Sequence, residues 1–421
     1  MREKAILFLE FREKVEIVHE VKSLGYKVVL VTKKALPLAL EVFDEVIECD
    51  LSDRKNDDAL IKQLPQAFDI QGIVCNYEAF VIQKAYLAQK LGLPSSSIYA
   101  ACCSRNKAMQ RQELNGVPEN VPSRVVETWR QAQEAYRVLG PDVYLKSLSG
   151  IKSRFIFSVQ TEEALQDSWQ LFQHAPHDHD LFEDFSEFGF DFRYPDPKKI
   201  LLIEQACHGF QVALTSFVND AEIVHAPSLT DTYSASSLGF PDTFLAFRML
   251  PSRLAPELID EAQSVVEKVT RALKLQYCGL HTELILTDSG EWKVVEIASR
   301  IGGYRPLMYR EAYGLNITRQ LVQAILGQAF VSEFSSHRKY VSLMEVFPRQ
   351  GGFLVEIEGL DELRQDPSVS RLMEKKKQGD PVGLAKEGHP PVLTFLISGD
   401  DYEEVYHKSV RYQRSLSVIT K

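Results

Sequence analysis

Residues 279–303, GLHTELILTDSGEWKVVEIASRIGG, constrain this chain more than any other stretch. Two apolar runs flank an Asp288-Ser289-Gly290 turn signal, so the segment reads as a β-hairpin. A two-residue loop at Ser289-Gly290 sets Asp288 opposite Glu291, and a four-residue loop sets Thr287 opposite Trp292. Either way Glu283 falls opposite Glu296. Directly opposed side chains sit ~5 Å apart, and like charges there are destabilising. Side chains alternate along a strand, so His281 shares a face with Glu283 and Arg300 shares one with Glu296. Two facing carboxylates with an arginine beyond them suit a Mg2+ and phosphate site. Oxygen ligands hold the hard cation, and a guanidinium forks onto phosphate or carboxylate oxygens. The alternative is a solvated hairpin edge with two glutamates on its surface. A three-residue loop would slip the register by one and undo the pairing.

The chain has 421 residues, too many for one ordinary domain, and about two to four structural units are expected. A net charge of −10 argues against a nonspecific nucleic-acid binder and against docking on an anionic membrane. It leaves room for a local basic pocket. Cys49, Cys75, Cys102, Cys103, Cys207 and Cys278 form no C-x-x-C or Cys/His metal spacing, which suits reduced thiols in a cytoplasmic protein. The opening MREKAILFLEFREKVE reads as a strand, not a signal peptide. No run approaches the ~20 apolar residues of a membrane helix.

Apolar runs at 5–11, 27–32, 45–49 and 70–75 alternate with helical patterns, which implies an open parallel sheet. No G-x-G-x-x-G accompanies it, so a dinucleotide fold is not supported. A helix at 78–91 stops at Gly92-Leu93-Pro94, and a polar helix is expected at 104–115. Strands are expected near 123–127, 143–148, 153–159 and 200–205, with a helix at 161–173. Paired strands follow at 207–230, then helices at 256–273 and 314–327. Residues 340–421 read as strands at 341–347, 353–358 and 392–398 with helices at 361–375 and 400–415. His177, Asp178, His179 and Asp180 fit no helix face and read as a solvated acidic loop.

Three further segments carry chemistry. Lys107 and Arg111 are i and i+4, so they share a helix face, and two cations there repel unless an anion lies between them. A solvated basic face is the plain reading. Lys146 ends an apolar strand before a small polar loop containing Ser147, Ser149, Gly150 and Ser153, where backbone N–H groups can cradle an anion. An ordinary turn is the alternative. Residues 203–211, IEQACHGFQ, place Glu204 at the end of a strand and Gln211 beyond a glycine.

In order, these segments resemble the ATP-grasp superfamily over roughly residues 75–330. The His281-x-Glu283 form resembles its carboxylate–amine ligases, including bacterial L-amino-acid (dipeptide) ligases and carnosine-synthase-like enzymes. The resemblance implies an α/β and α+β chain. Its units would be an N-terminal α/β domain at 1–103, an ATP-grasp domain at 104–330 with a mobile lid at about 123–204, and a C-terminal α+β unit at 331–421. It implies ATP phosphate contacts from Lys107, Lys146 and Ser153. The adenine edge falls to Glu204, Gln205 and Cys207, and the ribose to Gln211. Glu283 and Glu296 would hold Mg2+, with Mn2+ as the substitute, and Arg300 would grip the carboxylate or its acyl phosphate. The usual third metal ligand, an Asn, is Ala298 here.

The activity implied is ATP-dependent joining of a carboxylate to an amine, with amino acids as the expected substrates and a homodimer as a possible assembly. Other branches remain: a biotin-carboxylase-like or formate-dependent enzyme, against which the glycine-poor 147–153 loop argues, or an inactive nucleotide-binding relative. Tyr233, Phe240, Phe244, Arg248, Tyr304, Arg305 and Tyr309 are candidates for the acceptor pocket by position and chemistry.

Overall fold

Short apolar strands separated by amphipathic helices build the first sheet. Lys4–Leu9, Lys27–Thr32, Glu45–Glu48 and Asp69–Cys75 pair in parallel, with Lys4–Leu9 between the second and fourth. The first two strands are buried almost throughout, as strands covered on both faces must be. After Cys75 the chain turns through Glu78–Phe80 into helix Val81–Leu91, closed by Gly92 at φ +68°. The computed structural model describes residues 2–11, 15–53, 55–150, 155–174, 191–240, 244–331, 336–385 and 389–421.

The polar helix expected at 104–115 is two helices, Ile98–Arg105 and Lys107–Glu113. Asn106 divides them. Its backbone is extended, and its side-chain oxygen accepts from the N–H groups of Ala108 (3.1 Å) and Met109 (3.3 Å). It therefore ends one helix and caps the next, which fixes where Lys107 emerges.

Residues 123–205 form an antiparallel sheet in the order Ser123–Val126, Leu201–Gln205, Val143–Ser147, Ile156–Val159. Two helices pack on it, Trp129–Leu139 and Glu162–His174, around Leu145, Ile203 and Phe172. The first of these was not expected. Its sequence signal is a capping box, Thr128-x-x-Gln131, whose reciprocal bonds are both formed.

A nine-stranded sheet carries the hairpin at one end. Trp292–Ala298 is the edge strand, Cys278–Thr287 lies next to it, and Gly209–Val218 follows. Thr230–Ser234, Leu245–Leu250, Tyr340–Val346, Leu393–Gly399 and Val369–Glu374 complete the path. Three strands from 340–399 therefore continue the central sheet. The helix expected at 361–375 is corrected: it is helix Leu360–Gln365 followed by strand Val369–Glu374. A helix not expected, Arg305–Tyr313, precedes Thr318–Ile325. Among the described residues no helix is long and apolar enough to cross a membrane.

Candidate active site

The hairpin turn has three residues, Asp288, Ser289 and Gly290. Thr287 N–H donates to Glu291 O at 2.8 Å, and Gly290, at φ +83°, donates to Thr287 O at 2.8 Å. The expected two- or four-residue loop is thus corrected. The slipped register holds for the outer half, where Leu286 opposes Trp292 and Leu284 opposes Val294. Val295 is then an extra, unpaired residue, and beyond this bulge Glu283 stands opposite Glu296. The pairing inferred from sequence is present, but two irregularities produce it.

The bulge has a partner. Arg111 donates from Nη1 to Val294 O at 2.9 Å and from Nη2 to Val295 O at 2.7 Å. One residue earlier Gln110 donates to Ile297 O at 2.9 Å and accepts from Ile297 N at 3.2 Å. Lys107, on the same helix face, reaches Glu296 Oε1 at 3.2 Å. Residues at i, i+3 and i+4 of a helix lie on one face, so three side chains replace the missing neighbour of an edge strand.

Around the carboxylate pair the charges are unequal. Burial works against the Glu283 charge, yet its carboxyl is held down at about 2 by the His281 hydrogen bond and by Arg248 and Arg300. Burial pushes His281 down to about 4, so the ring is neutral at pH 7 and acts through the N–H it donates to Glu283 (3.4 Å). Glu296 is pushed up by burial and by Glu78 and Glu283, against a single lysine, Lys107. Arg300 does not point freely into the cleft. Its Nε and Nη2 both donate to Glu78 Oε2, the Nε bond at 3.0 Å. Glu78 is buried, and Arg300, Arg105 and Lys107 hold its carboxyl low despite that burial. Gln211 donates to Glu283 Oε2 at 3.4 Å.

Across the cleft, Glu204 is 2 % exposed and accepts from Arg111 Nε at 2.7 Å and from Lys146 Nζ. Burial alone would raise its carboxyl, but Arg111 and Lys146 hold it at about 2. The polar loop after Lys146 is tied back by its carbonyls, Ser149 O to Arg105 and Gly150 O to Lys107 at 3.3 Å. Ser153 lies outside the described residues, as do His177, Asp178, His179 and Asp180. Gln205 is exposed at the strand end, and Cys207 is half-buried in the turn that follows.

The structure therefore gathers Lys107, Glu283, Glu296, Arg300 and Gln211 at one pole and Lys146, Glu204, Gln205 and Cys207 at the other. Sequence reasoning missed Glu78 and Arg105. Glu78 had one available signal, its place just beyond the C-terminal end of a parallel strand, where open α/β sheets bind ligands. Among the described residues no group of three His, Cys, Asp or Glu side chains could hold a metal. Two carboxylates still suffice for Mg2+, which commonly takes one or two from protein and the rest from water and substrate phosphate. Glu283 and Glu296 stand opposite each other as hard oxygen donors of the kind that cation takes, so the residues fit.

Residues 18–95 match the ATP-grasp N-terminal domain, and residues 180–306 match the ATP-grasp domain. The chain is 22% identical over 280 residues to the alanine–anticapsin ligase of Bacillus subtilis, covering 61% of this chain and 54% of that one. It thus spans about half the length of the curated relatives it matches. Its structure superposes on an L-amino acid ligase from Bacillus licheniformis with a TM-score of 0.81, at 20% identity and with both chains fully covered. On N5-carboxyaminoimidazole ribonucleotide synthetase from Thermotoga maritima the TM-score is 0.70, at 18% identity and again full coverage. This chain carries both ATP-grasp domains and has the ATP-grasp fold, as its motifs led one to expect.

Proposed function

We propose that this chain is an ATP-dependent carboxylate–amine ligase acting on small molecules, with amino acids as its substrates. The observation that carries this reading is the opposed Glu283–Glu296 pair, one carboxylate firmly ionised and the other short of positive charge, set between Lys107 and Arg300. The resemblance to amino-acid ligases supports the choice of branch.

A carboxylate and an amine do not condense in water. Transfer of the ATP γ-phosphoryl group to a carboxylate oxygen releases ADP and leaves an acyl phosphate. The amine attacks the acyl carbon, phosphate departs, and the nitrogen loses a proton. Phosphoryl transfer depends mostly on positioning and charge neutralisation. Glu283 and Glu296 would hold Mg2+ (or Mn2+), which when bound neutralises phosphate oxygens. Lys107 and Lys146 would exchange their present acceptors, Glu296 and Glu204, for contacts with phosphate shared with Ser153. Arg300, whose Nε and Nη2 are held by Glu78, would turn its remaining Nη1 and Nη2 hydrogens to the acyl phosphate, with Glu78 fixing its orientation. Glu204, Gln205 and Cys207 would border the adenine, with Glu204 acting through the cations it holds. Gln211 would reach the ribose from beside Glu283. The 123–204 unit would close over the cleft and keep water from the intermediate.

The test is ADP release across pairs of amino acids with Mg2+. Turnover that requires two amino acids supports the ligase. Turnover that requires bicarbonate or formate instead would move the chain to the other enzyme branch.

A further inference from the structure

Arg305 opens helix Arg305–Tyr313 and is 2 % exposed. Among the described residues its Nε has no hydrogen-bond partner and its Nη1 meets only the Met308 sulfur, at 3.3 Å. Buried charges are ordinarily paired, because their desolvation is otherwise uncompensated. The other guanidinium groups nearby are committed, Arg300 to Glu78 and Arg248 to Glu345 Oε2 at 2.6 Å. Burial, then Arg248, pushes Arg305 down to about 10, so it stays charged at neutral pH.

The surroundings of Arg305 are also short of partners. Strand register sets His281 opposite Thr215, Glu283 and Thr230 opposite Ala213, and Arg248 opposite Thr232, which places these side chains on one face of the sheet. On that face, among the described residues, His281 Nδ1 is buried without a partner, while Thr215 and Thr230 lie against the Tyr309 hydroxyl. A Cβ built at Gly302 would lie 2.9 Å from His281 Nδ1 and 3.0 Å from Arg305 Cγ, so the two side chains meet across that glycine. A guanidinium with an unpaired Nε thus adjoins an unsatisfied ring nitrogen, beside the strand that presents Glu283.

We propose that Arg305, flanked by Arg248, receives a carboxylate that takes no part in the reaction, carried by a substrate in addition to the group being joined. This rests on the ligase reading. A planar fork matches two carboxylate oxygens, and binding supplies the direct ion pair that Arg305 does not make among the described residues, Glu283 acting on it only from a distance. The carboxylate has two possible sources: the α-carboxylate of an amino acid that serves as the amine, or the second carboxylate of a dicarboxylic acid that ATP activates.

The full chain is titrated with an equimolar pool of the twenty L-amino acids, a matching pool of their C-terminal amides, succinate and glutarate, and the monoamides of those two acids. Each is added with Mg2+ and a non-hydrolysable ATP analogue, and the melting temperature is read. The expected result is stabilisation by acids that is lost in the corresponding amides, and loss of that difference in Arg305→Met with the response to the analogue retained. A difference confined to the amino-acid pools assigns the amine substrate, and one confined to succinate or glutarate assigns the dicarboxylic acid. In turnover, Arg305→Met should raise the KM of the carboxylate-bearing partner about tenfold or more and leave the KM for ATP unchanged. If the Met variant does not fold, Arg305→Lys, which keeps a charge but loses the fork, is read by the same acid-against-amide difference. Equal response of the wild type to acids and amides overturns the proposal, as does a variant that keeps the wild-type difference. Failure of the wild type to release ADP with any pair would sink the ligase reading alone, because the melting arm needs no turnover.

Discussion

Glu204 and Glu296 flank one cleft, each beside a lysine, and the protein treats their charges in opposite ways. Glu204 is enclosed by Arg111 and Lys146, and its carboxyl is driven down to about 2. Glu296 is ion-paired with Lys107, faces Glu283, lies near Glu78, and is driven up. The helix Lys107–Glu113 sends a cation to each. The difference is in what remains unpaired. A carboxylate with two cations is finished, and serves as scaffold. One that faces another carboxylate is left with burial and repulsion that its lysine does not offset.

The largest effect should come from the finished side. Glu204→Gln leaves Arg111 and Lys146 buried without a counter-charge, and should cost ~3–5 kcal/mol of stability in urea denaturation. Acid sharpens the contrast. The carboxyl lies near 4.5 ordinarily and at about 2 in the fold, so the stability it lends is present above pH 4.5 and lost as pH falls towards 2. Glu204→Gln should flatten that limb of the stability profile. An unchanged urea midpoint would erase the distinction between the two glutamates.

On the other side, Glu296→Gln should leave the unliganded melting temperature equal or higher, because a repulsion is removed. ADP release should fall ~10²–10³-fold, as when a transition-state contact is lost, and stabilisation by Mg·ATP should shrink. ADP release near the wild-type rate would remove Glu296 from the metal site. Arg300→Lys keeps a charge opposite Glu78 but loses the fork. It should lower amino-acid-dependent turnover roughly ten- to a hundredfold with ATP affinity nearly intact, from ~1.5–3 kcal/mol of lost contact. A collapse of ATP affinity would instead assign Arg300 to the nucleotide. The smallest effect is a reference point away from both glutamates. Thr128→Ala removes the cap of helix Trp129–Leu139 and should cost about 1 kcal/mol with no change in ADP release.

Local patterns were legible in the sequence. The parallel strands around Lys4–Leu9, the stop at Gly92 and helix Pro256–Ala272 all follow from neighbouring residues. The Glu283–Glu296 pairing was legible for a less secure reason, since the three-residue turn and the extra Val295 cancel. Partners distant in sequence were not legible. Glu78 and Arg300 are 222 residues apart, and nothing in either segment announces the other. Arg111 and Glu204 each fell within a recognised motif, yet their bond is visible only in the fold. Strand Val369–Glu374 was read as helix because its place is decided by pairing with Leu393–Gly399 rather than by its own residues.

The side chains that cover the edge strand also set an order of events in time. Glu283 and Glu296 belong to a local hairpin that can form as soon as its two strands exist, whereas Gln110 meets Ile297 across 187 residues. During synthesis the covering helix is made long before the strand it must find, and closing so long a loop is slow beside hairpin formation. In that interval Trp292–Ala298 presents open N–H and C=O groups to any other strand in the cell. Chains that escape this hazard do so by docking Lys107, Gln110 and Arg111, so the step that assembles the site is also the step that ends the risk of misassembly.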